Sequence, residues 1–405
     1  MHYYQIHQLL KHSFDTPSAH QEIPELSVSL SHYAFTSEEA SCFLSGSEHL
    51  YCRQHQVCFQ ENERMDAGIP AREWSDFDIH CNKHFQYHII KESSLTQATG
   101  VIFLFHGLNE KKWDKYLPWA YGLARRTHKA VLLFPIAFHM DRAPEQWARR
   151  NEMYPIALNR ADTTGNTESS YVNAAISTRL EQNPLRIFWS GLQTYSDIIN
   201  LMTSIRSGSI DQISGTASID LFGYSIGSFL SMILMMANPG QLLTRSRLFC
   251  FCGGMTLDRM YPISRYIMDA HAAIELQKSF ATLLHTGFSE NERLAHYLDS
   301  SIHQNESWFK VMLRYNYYQE QREKRIAELQ DRLKALVLKN DMVTPPVEAL
   351  NTLKGGFRDI GTEVQVEDFT HPYSHMNPFP LTARNAAEVD RSYHLLMDSA
   401  SAFLY

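Results

Sequence analysis

The sequence has few cysteines, no long apolar run and no strong excess of charge of either sign. Its six cysteines are sparse for 405 residues and form no Cys-x-x-Cys pair, which favours free thiols in a reducing compartment over a disulfide framework. No stretch approaches the roughly 18 consecutive apolar residues of a membrane-spanning helix. The first residues also lack the basic and apolar regions of a secretory signal. We therefore expect a cytoplasmic protein without a membrane span.

The charge pattern argues against a nucleic-acid partner. The net charge is -7, both signs are interspersed, and no basic stripe is present. The chain has 405 residues, of which 44% are hydrophobic, and this length and composition are sufficient to bury a large core. None of these features indicates the oligomeric state.

From Gly100 onward, short apolar runs alternate with segments of helical periodicity. The runs typical of buried strands are "VIFLFHG", "KAVLLFPI", "ASIDLFG", "RLFCFCGG", "KALVLKND" and "TEVQVEDF". The helical segments are "WDKYLPWAYGLARRTH", "PLRIFWSGLQTYSDIINLMTSIRSG", "IGSFLSMILMMANPG" and residues 385–404. This alternation predicts an α/β fold with a mostly parallel central sheet and helices on both faces.

An earlier segment, "DFDIHCNKHFQYHII", alternates between apolar and polar residues and predicts a half-buried strand or hairpin over residues 77–89. On such a strand His80, His84 and His88 would share the polar face. Residues four apart on a strand are separated by roughly 13 Å, which is too far to share one ion. We therefore predict no metal site.

The run "SIDLFGYSIGSFLSMIL" contains the pattern Gly-x-Ser-x-Gly between a predicted strand and a predicted helix. A nucleophile elbow requires this context, because its sharp turn crowds the residues on both sides of the serine. The sequence therefore predicts Ser225 as a nucleophile, with Gly223 and Gly227 as the elbow glycines. The alternative is a glycine-rich turn between two core elements.

On these residues the chain resembles the α/β-hydrolase superfamily, the serine hydrolases with such an elbow. The resemblance implies an oxyanion hole whose backbone N–H donors belong to Ile226, after the serine, and to Leu108, in the "FLFHGLNE" loop after an early strand. His106 of that loop would be structural. The resemblance also implies a triad in the chain order serine, acid, histidine.

Two aspartates are candidates for the acid. Asp341 follows the strand "KALVLKND" in a polar turn and is our preferred acid, whereas Asp258, soon after the "FCFCGG" strand, is the runner-up. Two histidines in "VEDFTHPYSHMNPFP" are candidates for the base. We prefer His375 to His371, because its longer loop can reach back over the sheet, whereas Pro372 restricts the backbone beside His371.

The resemblance divides the chain into four parts. Two insertions interrupt the alternation, at 137–190 and at 255–330, and the second lies where the superfamily commonly inserts a lid. The predicted parts are an N-terminal extension and β-hairpin region (1–95), the first part of the hydrolase core (96–254), a helical cap or lid (255–330) and the second part of the core (331–405).

The function implied is a serine hydrolase that cleaves a small-molecule carboxylic ester, or an amide or thioester, through an acyl-enzyme, without a cofactor. The same triad would serve an acyltransferase. The non-enzymatic alternative is a binding protein that has a hydrolase fold but no catalytic activity. Apolar aromatics of the predicted lid are candidates to line an acyl pocket or to form the lid's own core: Tyr261, Tyr266, Phe309, Tyr315, Tyr317 and Tyr318.

Overall fold

A computed structural model describes residues 1–47, 50–60, 75–165 and 167–405. The described chain contains a nine-stranded sheet in the order β1-β2-β5-β7-β6-β8-β9-β10-β11 and a separate hairpin, β3-β4. The strands are β1 His20–Ile23, β2 Val28–Thr36, β3 Leu50–Cys52, β4 Val57–Phe59, β5 His84–Glu92, β6 Ala98–Phe105, β7 Ala130–Leu133, β8 Ile213–Tyr224, β9 Leu248–Phe251, β10 Leu333–Leu338 and β11 Glu363–Glu367.

The helices connect these strands and cover both faces of the sheet. They are α1 Tyr3–Phe14, α2 Ala40–Phe43, α3 His80–Lys83, α4 Leu117–Thr127, α5 Arg150–Thr164, α6 Ala174–Gln182, α7 Arg186–Arg206, α8 Ile226–Ala237, α9 Ala270–His285, α10 Glu292–Leu298, α11 Trp308–Leu313, α12 Gln319–Leu329, α13 Pro346–Leu353 and α14 Ala386–Leu404. In the part of the chain just described, no helix is both long enough and apolar enough to cross a lipid bilayer.

The sheet is parallel from β7 to β11 and antiparallel at its other edge, where β1, β2, β5 and β7 pair. Alternate side chains of β6 enter two different cores. Val101 and Phe103 pack into the core under α7 and α8, whereas Ile102 and Leu104 pack into the core under α1, α4 and α14. Strands buried on both faces read as continuous apolar runs, which is why these strands could be predicted. The predicted fold class is confirmed.

The N-terminal residues contribute to this same sheet. Residues 1–95, which the sequence analysis set apart as an extension, supply β1, β2 and β5. Within that range, residues 48–49 and 61–74 lie outside the described residues. The first and last parts of the chain are therefore joined through one continuous sheet, and the hairpin β3-β4 stands apart from it.

The strand predicted over residues 77–89 begins later than expected, at His84. A 3-10 turn over Asp76–Asp78 and the helix α3 precede it. Ser75 Oγ accepts a hydrogen bond from the Asp78 amide (3.3 Å), and the Asp78 carboxylate accepts one from the Ser75 amide (3.1 Å). This reciprocal capping starts a helical turn despite the alternation. The ring centroids of His80 and His84 consequently lie 4.5 Å apart. A continuous strand would have placed these two residues roughly 13 Å apart.

The helices α9 to α12 lie between β9 and β10, within the predicted cap. The earlier insertion adds α5 and α6, and α5 is tied to the start of α9. Arg160 on α5 donates to both oxygens of Asp269 (2.6 and 2.9 Å), and Asp269 caps α9 by accepting from the Ala272 amide. Paired N–H···O bonds of this kind set orientation as well as distance. The two insertions therefore contact each other through a buried ion pair.

A second buried ion pair positions the loop after β7. Arg142 donates to Asp197 on α7 (2.8 Å), and both side chains are fully buried. The same guanidinium donates to the carbonyl oxygens of Pro135 and Asn82 (3.1 Å each) and stacks over the ring of Phe85 (4.0 Å). One side chain thereby links β5, the loop after β7 and α7.

We predict that Asp197→Asn lowers the free energy of unfolding by about 3–5 kcal/mol, because it leaves a buried guanidinium without its counter-charge. Urea unfolding followed by circular dichroism measures the change. Glu145→Gln is the matched control, since Glu145 pairs with Arg149 at the same kind of distance (2.7 Å) on the exposed surface. Equal effects of the two substitutions would contradict this role for Asp197.

Candidate active site

A sharp turn joins β8 to α8 and contains Ser225. The backbone of Ser225 has φ 56° and ψ −119°, which a non-glycine residue rarely adopts. A Cβ atom on Gly227 would lie 2.5 Å from the carbonyl oxygen of Phe105, and one on Gly223 would lie 2.6 Å from the amide nitrogen of Ser228. Larger residues therefore have no room at either glycine.

Ser225 lies beside His375 and Asp341. The distance from Ser225 Oγ to His375 Nε2 is 2.9 Å, and the distance from His375 Nδ1 to Asp341 Oδ2 is 2.7 Å. All three side chains are buried. The structure thus brings together the preferred serine, histidine and aspartate of the sequence analysis in one hydrogen-bonded chain.

Asp341 is held in place by the loop that follows it. Its carboxylate accepts hydrogen bonds from the amides of Val343 (2.9 Å) and Thr344 (3.0 Å) and from Thr344 Oγ1 (2.7 Å). Burial opposes its ionisation, but the electrostatic interaction with His375 and the hydrogen bonds outweigh burial and lower the pKa of Asp341. An ionised carboxylate at this position would orient the imidazole and stabilise its cation.

The two runner-up residues are not part of this hydrogen-bonded chain, although Asp258 lines the cavity beside Ser225. His371 is buried against the rings of Phe369 and Phe379, and its Nδ1 lies 3.1 Å from the carbonyl oxygen of Pro372. Asp258 accepts hydrogen bonds from Thr256 Oγ1 (2.7 Å) and from the amide of Tyr315 (3.0 Å), so its carboxylate connects two parts of the cap. His375, by contrast, pairs with Asp341.

The predicted oxyanion donors flank the serine. Ile226 is the first residue of α8, where an amide has no partner within the helix, and both Ile226 and Leu108 line the cavity that contains Ser225. His106 has both ring nitrogens engaged by the backbone: Nε2 accepts from the Ile136 amide (2.9 Å), and Nδ1 lies 2.8 Å from the Gly107 carbonyl oxygen. Burial lowers the pKa of His106 well below its usual value, which keeps the ring neutral.

Two residues that the sequence analysis did not single out hold the loop of His375. The Tyr224 hydroxyl donates to the carbonyl oxygen of His375, and the two rings stack with centroids 5.2 Å apart. Lys115 donates to the carbonyl oxygen of Met376 (3.3 Å) and to the carboxylate of Glu110. The sequence offered a sign of the role of Tyr224, which directly precedes the serine in the Gly-x-Ser-x-Gly pattern. No sequence pattern around Lys115 indicates that it contacts the loop of His375.

A cavity of about 280 Å³ opens beside Ser225. Its lining is mostly aliphatic and includes Leu108, Ile187, Leu257, Met260, Ile263, Ile267, Met268, Ala273, Ile274, Leu276 and Val343. Of the aromatic cap residues predicted to line a pocket, Tyr261 lines this cavity and Phe309 lines a smaller neighbouring one. Tyr266 is 58% exposed. The cavity therefore owes its apolar character to aliphatic side chains from the cap and from the loop after β6.

The sheet, the covering helices and the strand–turn–helix around Ser225 define a protein of the α/β-hydrolase fold. The chain belongs to the family described as "Family of unknown function (DUF6051)", whose model matches residues 1–405. A comparison with curated proteins finds no match.

The chain is similar to several solved esterases at a low level. Carboxyl esterase 2 of the mycorrhizal fungus Tuber melanosporum is 10% identical, with a TM-score of 0.42 and coverage of 80% of this chain and 82% of that one. Esterase LipW of Mycobacterium marinum is 10% identical, with a TM-score of 0.44 and coverage of 99% and 88%. A thermostable esterase of Pseudomonas putida ECU1011 is 12% identical, with a TM-score of 0.40 and coverage of 80% of both chains. These values are too low to indicate what this chain acts on.

We predict that Gly227→Ala destabilises the protein by about 1–3 kcal/mol or more, because the new methyl group meets a backbone oxygen that cannot move away. Thermal unfolding of the purified variant measures the loss. Gly356→Ala is the control, since its Cβ would lie 3.0 Å from the mobile end of the Gln319 side chain. A Gly227→Ala variant as stable as Gly356→Ala would show that the turn can relax.

Proposed function

We propose that the protein is a serine hydrolase that cleaves a small-molecule carboxylic ester through an acyl-enzyme on Ser225. The observation that carries this proposal is the hydrogen-bonded chain from Ser225 Oγ to His375 (2.9 Å) and from His375 to Asp341 (2.7 Å). Such a chain allows the imidazole to remove the serine proton while the carboxylate stabilises the resulting cation. An amide or a thioester would require the same steps.

In the first half of the proposed reaction, His375 Nε2 accepts the proton of Ser225 as Oγ attacks the substrate carbonyl carbon. The imidazolium then donates that proton to the leaving alcohol, and the acyl group stays on Ser225. In the second half, His375 removes a proton from water, and the hydroxide attacks the acyl carbon. The acid is released and Ser225 regains its proton.

The negative charge that develops on the carbonyl oxygen would be met by the amides of Leu108 and Ile226. Both residues line the cavity at Ser225, and the N-terminus of α8 adds a favourable dipole. These donors are part of the backbone, so they need no reorganisation as the charge forms. This feature supports acyl transfer chemistry over simple binding of a ligand.

The cavity supports an apolar acyl group. Its volume of about 280 Å³ lies just below the range of about 300–1,000 Å³ for small-molecule pockets. Its walls are largely hydrocarbon, so burial of an aliphatic chain would contribute about 0.8 kcal/mol for each methylene group. We therefore propose an ester with a short to medium aliphatic acyl chain.

We predict that Ser225→Ala folds normally and loses at least about 10³-fold in kcat/KM, because it removes the attacking oxygen without opening a core cavity. The measurement is hydrolysis of a series of p-nitrophenyl esters, together with labelling by a fluorophosphonate probe. His375→Ala and Asp341→Asn are expected to lose activity as well, and Ser225→Ala combined with His375→Ala should be little worse than either alone.

His371→Ala is the matched control, since His371 lies in the same segment as His375 without pairing with Ser225 or Asp341. Asp258→Asn tests the alternative acid, because Asp258 lines the cavity beside Ser225 but pairs with neither Ser225 nor His375. Each should retain measurable hydrolysis even if stability falls. Full activity of Ser225→Ala on an ester that the wild type cleaves would remove Ser225 from the reaction. Release of a new ester in the presence of an alcohol, at the expense of free acid, would indicate acyl transfer instead.

A further prediction concerns chain length. Ala273, on α9, lines the cavity, so Ala273→Phe should narrow it. We expect kcat/KM for p-nitrophenyl octanoate to fall at least about tenfold relative to the acetate, because a long chain must occupy the space that the ring fills. Thr282→Phe, at an exposed position of the same helix, should leave the ratio unchanged. Equal effects on both esters would place the acyl group outside this cavity.

A further inference from the structure

Three histidines and one cysteine converge at the contact between the β3-β4 hairpin and the cap. Cys52 and His55 belong to the hairpin, His296 lies on α10, and His303 follows α10. One ring nitrogen of each histidine and the sulfur of Cys52 all lie within 4.8 Å of one another. These donors come from segments almost 250 positions apart in the sequence, so only the fold brings them together.

The separations resemble those of a metal centre. Cys52 Sγ lies 3.3 Å from His303 Nε2 and 3.5 Å from His55 Nδ1, and the Nε2 atoms of His303 and His296 are 3.1 Å apart. In a tetrahedral zinc site, with bonds of about 2.0–2.1 Å to nitrogen and 2.3 Å to sulfur, neighbouring ligand atoms are about 3.3–3.6 Å apart. These three distances lie near that range, and the remaining donor pairs, which are at most 4.8 Å apart, would close around an ion by side-chain rotation.

Hydrogen bonds among Cys52 and the three histidines do not by themselves explain why all four donor atoms lie so close together. His303 Nδ1 lies 3.1 Å from the carboxylate of Glu306, which favours a proton on Nδ1 and a lone pair on Nε2. That single lone pair faces both Cys52 Sγ and His296 Nε2. A cation between the donors would use all of these lone pairs at once, and a carboxylate behind a metal-bound histidine is the usual outer partner in such sites.

The surroundings indicate a closed site. Cys52 and His303 are buried, the ring of Tyr297 lies 4.6 Å from that of His303, and the ring of Phe59 lies 5.1 Å from that of His296. Four protein donors complete a tetrahedral coordination sphere and leave no position for a substrate or an activated water. None of the four lines the cavity beside Ser225.

The β3-β4 hairpin is too short to be stable without contacts to the rest of the protein. Its strands have three residues each, and an isolated hairpin of that size is at best marginally stable in water. Nearby, Arg293 on α10 donates to the carbonyl oxygens of Cys42 and Phe43 (3.0 and 2.6 Å), so α10 holds the N-terminal segment at a second point. A metal ion would join hairpin and cap more firmly than these hydrogen bonds alone.

We propose that Cys52, His55, His296 and His303 bind one Zn²⁺ ion in a closed tetrahedral site that fastens the β3-β4 hairpin to the cap. Three imidazoles and one thiolate form a donor set that suits Zn²⁺. The site is structural and separate from the proposed reaction at Ser225. It also departs from the sequence analysis, which predicted no metal.

The test uses the full-length protein, produced with added zinc and passed into metal-free buffer. We expect roughly one zinc ion per chain by mass spectrometry of the metal content. Cys52→Ser and His303→Ala should each lose most of it, whereas Cys58→Ser, on the same hairpin, and His285→Ala, at the end of α9, should keep it. Loss of zinc from the controls to the same extent would overturn the proposal.

A second measurement does not depend on the variants folding. Wild-type protein reconstituted with Co²⁺ should show intense visible bands of a tetrahedral ion and a thiolate-to-cobalt charge-transfer band in the near ultraviolet. Removal of zinc by a chelator should also lower the melting temperature of the wild type. A wild-type protein that takes up neither zinc nor cobalt in stoichiometric amount would overturn the proposal, whatever its activity on esters.

Discussion

The turn after β8 passes so close to the end of β6 that no side chain fits at position 227, and the candidate active site depends on this contact. β6 and β8 are neighbours in the sheet, with Phe105 opposite Gly223, so the loops that follow both strands emerge side by side. A Cβ on Gly227 would meet the oxygen of Phe105, the residue that begins the "FHGL" loop. The turn that contains Ser225 therefore lies in backbone contact with the loop that leads to Leu108, and both residues line one cavity. The attacking oxygen and the oxyanion donors of the proposed mechanism depend on this close approach.

The histidine needs a different kind of support, because its loop follows the edge strand β11. His375 and Met376 form a tight turn closed by backbone hydrogen bonds between Ser374 and Asn377 (3.3 and 3.0 Å), and this turn must itself be held against the rest of the fold. Buried polar contacts supply that support. Tyr224 holds the carbonyl oxygen of His375 from the strand that leads to Ser225. Lys115 donates hydrogen bonds both to the carbonyl oxygen of Met376 and to the carboxylate of Glu110. The same carboxylate accepts a hydrogen bond from the Tyr116 hydroxyl, and that hydroxyl accepts one from the Gly107 amide (2.9 Å). The loops after β6 and β11 are thus linked through hydrogen bonds that are fully formed only when both loops are in place. Such networks stabilise one arrangement in preference to near alternatives.

The parts of the molecule that could be predicted from sequence are those whose cause is local. Strands buried on both faces are continuous apolar runs, and the elbow combines a strand, two glycines and a helix within one short segment. The preference for His375 over His371 rested on loop length, and the structure places His375 beside Ser225. Residues 77–83 were predicted wrongly, because the alternation that suggested a strand was given more weight than the local capping pair Ser75 and Asp78, which starts a helical turn. The cluster around Cys52 could not be predicted, because its members meet only after the N-terminal hairpin and the cap have packed. The Cys-x-x-His spacing of Cys52 and His55 was the one local sign of it.

Three histidines show how the partner of each ring nitrogen decides what the residue can do. His106 has both nitrogens satisfied by the backbone, and burial lowers its pKa, which leaves it a neutral support for its loop. His375 meets a carboxylate at one nitrogen and a hydroxyl at the other, an arrangement suited to moving a proton between Ser225 and a substrate. His303 also meets a carboxylate at one nitrogen, but its other nitrogen faces a thiol and a second imidazole instead of a hydroxyl. Because several lone pairs are directed at one point there, the chemistry proposed for His303 is coordination. In these proposed roles, the same type of side chain supports a loop, moves a proton or binds a metal according to the partners of its two ring nitrogens.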